Sequence, residues 1–503
     1  MAYLLRKGKY MGSEIMESAK FDDEIADTIE RNKQILESKL GLNTSFDVVL
    51  REMVFGMKRT GMLYLNGFAK DDVLTEIIKR LTYVKEDQVA VDTLKRFMDE
   101  FVPHIQVTQA HSMSDAINKV LTGSTVLFID QEISALVMDV KVLPTRATEE
   151  PDLERVVRGA RDGFVETLLT NVTLVRRRLR DPQLKLELQQ VGTRTQMDVC
   201  LAYIADIADS RLVSSVRDKI KAVEIDGIPL AEKQLEEAII KKGWNPYPSV
   251  RYSERPDVIS AHLLEGHVVV FVDTSPSVMI LPTTFFHLLQ HAEENRQTPF
   301  VGTYLRWIRF GGVLASLFLL PLWYLMVINP ELKPVGLEWI GPQKEAHLPL
   351  IIQFIMSEIG IDLMRLAAIH TPSPLTTAMG LVAAILIGDI AIKTGMFVNE
   401  VILYLAISTI GIYATPSYEL GLANRLFRLA LLIVTALFSV PGFVIFSTIW
   451  LIFLAVNRSY NSPYLWPFIP FNAKALWNII LRRPFQNTKK RISLTKPIDR
   501  TRQ

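Results

Sequence analysis

FGGVLASLFLLPLWYLMVI, Phe310 to Ile328, runs nineteen residues without a charge. As a helix it reaches about 28 Å, enough to cross the hydrocarbon core of a bilayer. Working outward from it, charge density divides the 503-residue chain. Residues 310–481 hold 16 charged side chains in 172, the 309 residues before them hold 85, and the last 22 hold 9. A charge-rich part therefore precedes an apolar helical part, and a basic tail follows. Lys and Arg total 56 against 54 Asp and Glu, a net charge of +2, which excludes a basic nucleic-acid binder and an acidic disordered chain. The single cysteine, Cys200, excludes an internal disulfide or thiolate cluster and, in its apolar run, reads as a small core residue.

Met1 to Tyr10 carries Arg6, Lys7 and Lys9 without an apolar stretch after it, so no signal peptide is read. No window before residue 310 offers 18 uncharged apolar residues, which places the first 300 or so residues in the cytosol as a soluble region. Residues 1–40, with Ile25, Ile29 and Leu36 as the apolar stripe, read as an N-terminal extension with one short helix. Residues 41–142 read as a mixed α/β module. DVVLREMVF from Asp47 and TGMLYLNGF from Thr60 are strand-like, Asp71–Leu81 is helical, and TVLFID with SALVMDV form a hairpin. Ser112 or Ser114 caps a helix through Leu121 that Gly123 ends. The polar run PTRATEEPD, 144–152, marks a boundary. Residues 150–305 then read as a second mixed α/β module: a helix over Phe164–Arg180, a hairpin from LKLELQQVG and RTQMDVCLAYI, a helix over Ser210–Val223, strands in HVVVFVD and VMIL, and a helix through His287.

Residues 308–481 read as a polytopic helical membrane domain, with a basic cytosolic tail at 482–503. Beyond the first span, candidate segments are 348–369, 374–392 with Asp389, 397–415 with Glu400, and 429–456 with Pro441-Gly442 at its middle. Glu358, Asp362 and Arg365 fall at i, i+4 and i+7 and form one polar stripe facing a protein interior, an interface or water. Their segment crosses, re-enters or lies on the surface. With both ends cytoplasmic the crossing number is even. Four crossings are preferred, because a lipid-facing helix bearing that stripe would be costly, although four leaves Arg425 and Arg428 outside; six crossings result if 429–456 is split at its proline.

The stretch VRGARDGFVETLLTNVTLVRRRLR at Val157–Arg180, then RYSERPD at Arg251–Asp257, LLEGHVVVFVDTSPSV at Leu263–Val278, PFVGTYLRWIRF before the first span and TPSYELGLANRLFR at Thr415–Arg428 together resemble the A-subunit family of bacterial spore germinant receptors. The resemblance covers about residues 40–481. GARDGF, NRQTPF and ILIGDIAIKTG look most like the stage V sporulation branch of that family. The family usually has Gln after the Ile-Gly where this chain has Asp389, which separates it from nutrient sensing more than from the architecture. The resemblance implies a protein of the inner spore membrane acting in germination, assembled with identical subunits in a ring, a pentamer by expectation, around an ion-conducting centre, and working beside another membrane protein.

A conducting helix needs a small-residue face, an apolar gate and fixed charge near a mouth. Gly380, Ala384 and Gly388 supply the face, Leu386, Ile387 and Ile390 the gate candidates, and Asp389 a carboxylate ring that would favour monovalent cations. The structural alternative pairs Asp389 with Lys393 at i+4, and Glu400 sits early in its span, at the interface. Arg158, Arg161, Glu166, Arg176, Arg177, Arg251, Glu254, Arg255 and Asp257 are candidates for contacts between subunits, with solvated helix faces and a salt-bridged loop as the plainer alternatives. His287 and His291 lack the glutamate of a metalloprotease helix, no phosphate-binding glycine loop occurs, and no nucleophile with a base can be nominated. No cofactor, metal site, catalytic residue or nucleic-acid partner is expected. Three readings stand side by side: a cation channel that releases ions and amplifies germination, a non-conducting scaffold of a germination complex, and a component of a dipicolinate transport path, which the sporulation resemblance invites.

Overall fold

The computed structural model of the protein describes residues 23–89, 91–143, 154, 156–240, 243–370, 390–460, 462–484, 486 and 488–502. It comprises two compact units. One contains Met1–Lys241, Tyr252–Leu281 and Lys489–Gln503, the other Lys242–Arg251 and Pro282–Thr488.

The first unit is built from two five-stranded sheets. In the first, α1 (Ile29–Lys39) leads to β1 (Val48–Phe55), β2 (Lys58–Leu65), α2 (Asp71–Leu81), α3 (Thr93–Arg96), β3 (Val107–Ala110), α4 (Met113–Leu121), β4 (Thr125–Ile129) and β5 (Ala135–Met138). The strand order is β1-β2-β4-β5-β3. Strand β4, TVLFI, is buried at every position because helices cover both faces of the sheet. Val126 and Phe128 join Ile29, Leu36 and Ile117, while Leu127 and Ile129 join Ile77, Leu81 and Phe97. Ser112 caps α4 by accepting from the Asp115 amide at 3.1 Å, and Gly123 (φ 102°) takes the left-handed turn that sends the chain into β4. Ile25, Ile29 and Leu36, read from sequence as a stripe on an extension, are core residues of this module, with exposures of 3, 2 and 0%. Three apolar positions make a thin pattern, yet they are enough for a helix that only has to cover one half of a sheet face.

The second sheet repeats the first. Helix α5 (Leu168–Arg178) precedes β6 (Leu184–Val191), β7 (Met197–Ile204), α6 (Ser210–Lys221), α7 (Ala231–Ile240), β8 (Arg251–Ser253), α8 (Pro256–Leu264), β9 (Val268–Val272) and β10 (Val278–Leu281). The order β6-β7-β9-β10-β8 is the first sheet's order shifted by five strands. Local devices recur with it. Asn32 brackets the backbone of Ala26, accepting from its amide (2.8 Å) and donating to its carbonyl (2.7 Å), and Asn171 does the same to Val165 (2.8 and 2.5 Å). Asp130 at the end of β4 accepts from the first amide of α1, and Asp273 at the end of β9 accepts from the first amide of α5 (2.8 and 2.9 Å). A carboxylate there meets the positive end of the helix dipole. Gln131 and Thr274, the next residues, both adopt positive φ (70° and 64°) and donate their amides to Asp27 and Glu166 carbonyls. The first unit is therefore one α/β design used twice.

Arg176 of α5 joins the two copies, forming a buried pair with Asp47 at 2.9 Å, both side chains no more than 2% exposed. The end of the chain also folds here. Arg491 donates to the Leu264 carbonyl (2.8 Å) and pairs with Asp499 (2.6 Å), Ile498 donates to the Ile207 carbonyl (2.9 Å), and Arg502 pairs with Glu265.

The second unit is helical: α9 (Phe285–Leu288), α10 (Ala292–Arg296), α11 (Pro299–Ile328), α12 (Leu350–His370), α13 (Asn399–Tyr413), α14 (Tyr418–Val456) and α15 (Ala473–Ile480). Phe285 and Leu288 pack with Val313 and Leu317, so α9 belongs with the helices rather than with the second sheet. Of these helices, α11 and α14 are long and apolar enough to cross a membrane. Helices α11 and α13 are antiparallel: Trp323 lies beside Tyr404, ring centres 5.3 Å apart, while Gly312 backs onto Gly411 so closely that a Cβ on Gly411 would lie 2.2 Å from the Gly312 carbonyl oxygen. Helix α14 is a hairpin of two legs. Ser439 breaks it (φ 51°, ψ −135°) two residues before Pro441, and Phe427 stacks on Trp450 at 4.4 Å across the legs. A straight helix would hold those rings roughly 35 Å apart. The tip is tied to the end of α11, where Asn329 donates to the Ser439 hydroxyl at 2.8 Å.

Candidate functional site

The polar stripe of α12 meets a second one on the first leg of α14. Arg425 and Arg428, at i and i+3, share a face that turns toward Glu358 and Asp362, at i and i+4. Arg428 reaches Glu358 at 2.5 Å and Arg425 reaches it at 3.0 Å, so both carboxylate oxygens of Glu358 are engaged. Arg425 also contacts Asp362 at 2.7 Å, and Arg365 reaches the same Asp362 oxygen at 2.5 Å. Arg428 donates an N–H to the Ser316 carbonyl of α11 at 2.9 Å. The Glu358 side chain is 3% exposed and that of Arg428 0%. Five charges, two acidic and three basic, thereby tie three helices together; at Glu358, Arg425 and Arg428 an unpaired charge would be costly, whereas the Asp362 side chain is 43% exposed. Of the three settings open to the α12 stripe from sequence, the structure gives Glu358 the protein interior. Arg365 lies 6.0 Å from the Tyr418 ring centre at the edge of the cluster.

A second cluster lies at the open end of the α14 hairpin. Gly243–Arg251, the chain between α7 and β8, packs in the helical unit. Its Tyr247 is 3% exposed. The Tyr247 hydroxyl accepts from Trp450 Nε1 at 2.6 Å on one leg and lies 3.4 Å from Asn424 Oδ1 on the other, and its ring meets Phe453 at 6.1 Å. The Ser459 hydroxyl donates to the Ser249 carbonyl at 2.6 Å and accepts from the Thr283 amide at 3.0 Å. Sequence reading missed this cluster; its available signal was a Trp-Asn-Pro-Tyr-Pro run, Trp244–Pro248, unusually aromatic for a connection between a helix and an edge strand.

The residues nominated for a pore, Gly380, Ala384, Leu386, Ile387, Gly388 and Asp389, lie outside the described residues; Ile390 is described and is 45% exposed. Glu400 sits in the first turn of α13 and accepts from the Gln343 amide at 3.2 Å. Among the nominated subunit contacts, three arginines prove to be interior. Arg176 is held by Asp47, Arg251 donates to the His287 and Gln290 carbonyls (2.9 and 3.2 Å), and Arg255 clasps Asp257 at 3.0 Å while donating to the Glu154 and Ala160 carbonyls. All three are under 9% exposed, which removes them from any contact with a neighbour and makes the Arg255–Asp257 loop a structural one. Arg158, Arg161, Glu166 and Arg177 are exposed, and Glu254 is half-buried with Ser277 donating to it at 3.4 Å. His291 caps α10, its Nδ1 accepting from the Glu293 amide.

Comparison with known proteins gives these observations a family. The family described as Bacillus/Clostridium GerA spore germination protein matches residues 34–494. Stage V sporulation protein AF of Bacillus subtilis (strain 168) is 45% identical over 473 residues, covering 94% of this chain and 96% of that protein. Spore germination protein KA of the same organism is 26% identical over 478 residues, covering 94% of this chain and 88% of that protein. Among solved structures, the N-terminal domain of the A subunit of the Bacillus megaterium spore germinant receptor GerK3 matches 52% of this chain and 97% of its own, at 24% identity and a TM-score of 0.40. From residue 34 to residue 494, through the α/β unit and the helical one alike, the chain belongs to the GerA family of spore germination proteins.

Proposed function

We propose that this chain is a subunit of an oligomeric, pentameric cation channel of the inner spore membrane, which releases monovalent cations and amplifies or transmits the germination signal together with another membrane protein. The observation that carries the membrane part of this reading is that α12 and α13 run parallel. The Val398 amide, just before α13, donates to Gln353 near the start of α12 at 3.0 Å, and both helices are antiparallel to the first leg of α14: Glu358 faces Arg428 and Arg365 faces Tyr418 on one side, and Gly421 packs on Ile412 on the other. Two parallel helices in succession require a return between them, and this reading assigns it to the candidate span 374–392, with its Gly380, Ala384 and Gly388 face and Asp389. The count is then six: α11, α12, the 374–392 segment, α13 and the two legs of α14. An even number puts both chain ends on one side, which this reading takes as the cytoplasmic one from the basic residues after 481.

The charges that argued for four crossings support six, because Arg425 and Arg428 come to Glu358 and Asp362 instead of standing apart from them. The α/β unit would assemble the ring through exposed groups such as Arg158, Arg161, Glu166 and Arg177. Potassium efflux from liposomes containing the purified chain, with and without candidate membrane partners, tests the reading. Asp389→Asn is expected to change cation preference and Leu386→Ala to raise resting leak. Folded, oligomeric protein that passes no ion under any partner condition would refute conduction and leave the scaffold reading.

A further inference from the structure

Helix α11 has 30 residues, about 45 Å of helix against about 30 Å of hydrocarbon. Its uncharged stretch begins only at Phe310, so roughly the first three turns project beyond the hydrocarbon core. Those turns are amphipathic in an unusual sense. Arg306 and Arg309 point inward and share the buried carboxylate of Glu294, with Arg306 Nε at 2.7 Å from it. The outward face carries Phe300, Tyr304, Trp307 and Ile308, 85, 58, 54 and 53% exposed. Helix α15 continues this face. Trp307 donates to the Ile480 carbonyl at 3.1 Å and Arg306 to the Asn478 and Ile479 carbonyls (3.0 and 2.7 Å), and from α15 and the residues just before it Trp477 and Phe471 stand 53 and 70% exposed. Lys474 and Arg483 are exposed on the same stretch of chain.

Exposed aromatic side chains gathered on two elements that meet at Trp307 and Ile480 are costly in water and mark an interaction surface. Three features name what covers it. The surface starts where the apolar span ends, on the same continuous helix, so it stands within a few turns of the hydrocarbon. Its aromatic residues include Trp307, Trp477 and Tyr304, which combine an apolar ring with a polar group and favour the boundary between lipid and water. Its exposed charges are Lys474 and Arg483, both positive, which suit phosphate headgroups and the negative surface of a cytoplasmic leaflet.

We propose that the first turns of α11 and the helix α15 form a collar seated in the headgroup layer of the membrane, a lipid-binding surface that sets the depth at which the first span sits. The proposal rests on the membrane reading above, and the experiment separates the two. Full-length protein in a Cys200→Ala background receives single nitroxide labels through Leu314→Cys, Tyr304→Cys, Trp477→Cys and Ile105→Cys, and is reconstituted in vesicles of phosphatidylcholine with phosphatidylglycerol. Collision rates with oxygen, which concentrates in hydrocarbon, and with a water-soluble nickel chelate are then compared. Leu314, 59% exposed on the apolar part of α11, is expected to give the highest oxygen-to-nickel ratio, and Ile105, fully exposed on the α/β unit, the lowest. Tyr304 and Trp477 are expected to fall between, several-fold above Ile105 and several-fold below Leu314. A ratio at Tyr304 and Trp477 equal to that at Ile105 would place the face in water and overturn the collar. Exclusion of both reagents there would show protein covering it, a second copy of this chain for example, and overturn it equally. A Leu314 ratio equal to that at Ile105 would instead refute the membrane reading itself, and the collar with it.

Discussion

Replacing Glu358 by Gln keeps the shape of the side chain and removes its charge, leaving Arg425 and Arg428 without the carboxylate that both share. Arg428 is the critical partner, since its side chain is 0% exposed and its other contact is a neutral carbonyl, Ser316. Breaking a buried pair by deleting one member costs about 3–5 kcal/mol. In a unit of this size each kcal/mol moves the melting temperature by about 2–4 °C, so the variant should melt roughly 6–20 °C below the parent. The assay is thermal unfolding of the full chain in detergent at one fixed scan rate, followed by tryptophan emission; Trp323 and Trp450 lie in the two core clusters of the helical unit. Glu358→Gln combined with Arg428→Met removes both ends of the closest pair and should recover part of the loss, because no charge is then stranded at that contact. A Glu358→Gln protein that melts within about 2 °C of the parent would show that the cluster does not hold the three helices together, and the reasoning would fall.

Other expectations follow from single contacts. Gly411→Ala sets a methyl against the Gly312 carbonyl, 2.2 Å away before relaxation, and should destabilise the helical unit by about 1–3 kcal/mol in the same melting assay, whereas Gly311→Ala, with open space around it, should cost far less. Tyr247→Phe strands the Trp450 indole N–H and should cost about 1–3 kcal/mol, read as a lower denaturant midpoint for the helical unit. Burial pushes the Cys200 thiol well above its ordinary pKa, so at neutral pH it stays protonated and shielded; maleimide should label the native chain far more slowly than the denatured one, and equal rates would contradict the buried β7.

Strand pairing was largely legible from sequence where apolar residues alternate or run together between turn residues. DVVLREMVF, TGMLYLNGF, TVLFID and the 184–204 hairpin all form strands, because short runs rich in apolar and β-branched residues between turn residues leave a direct trace in the residue order. The region 231–264 was less legible. The edge strand β8 is three residues long, too short to show a period, and α7 and α8, although half apolar, are short helices of ten and nine residues. The duplication was hidden because its two copies share little beyond Leu-Thr-Gly-Ser-Thr-Val-Leu-Phe-Ile-Asp in one and Leu-Leu-Glu-Gly-His-Val-Val-Val-Phe-Val-Asp in the other, with Asn32 and Asn171 preserving their roles at a distance. In the helical part, Pro441-Gly442 announced a break without saying how sharp it would be; the left-handed Ser439 makes it a full reversal. The partners of Glu358 lie more than sixty residues away along the chain, beyond the reach of any spacing rule, and only the meeting of α12 with α14 reveals them.

The α14 hairpin is fastened at both extremities. At its bend Ser439 is knotted to Asn329, the last turn of α11, and at its mouth Tyr247 bridges Asn424 and Trp450, one on each leg. A rod clamped at one end can only swing, but a two-legged strut clamped at tip and mouth resists both swinging and splaying. The peg itself is buried, 3% exposed, and holds both legs through a single hydroxyl. Removing the peg therefore frees the mouth on both legs at once, while the bend stays tied to α11.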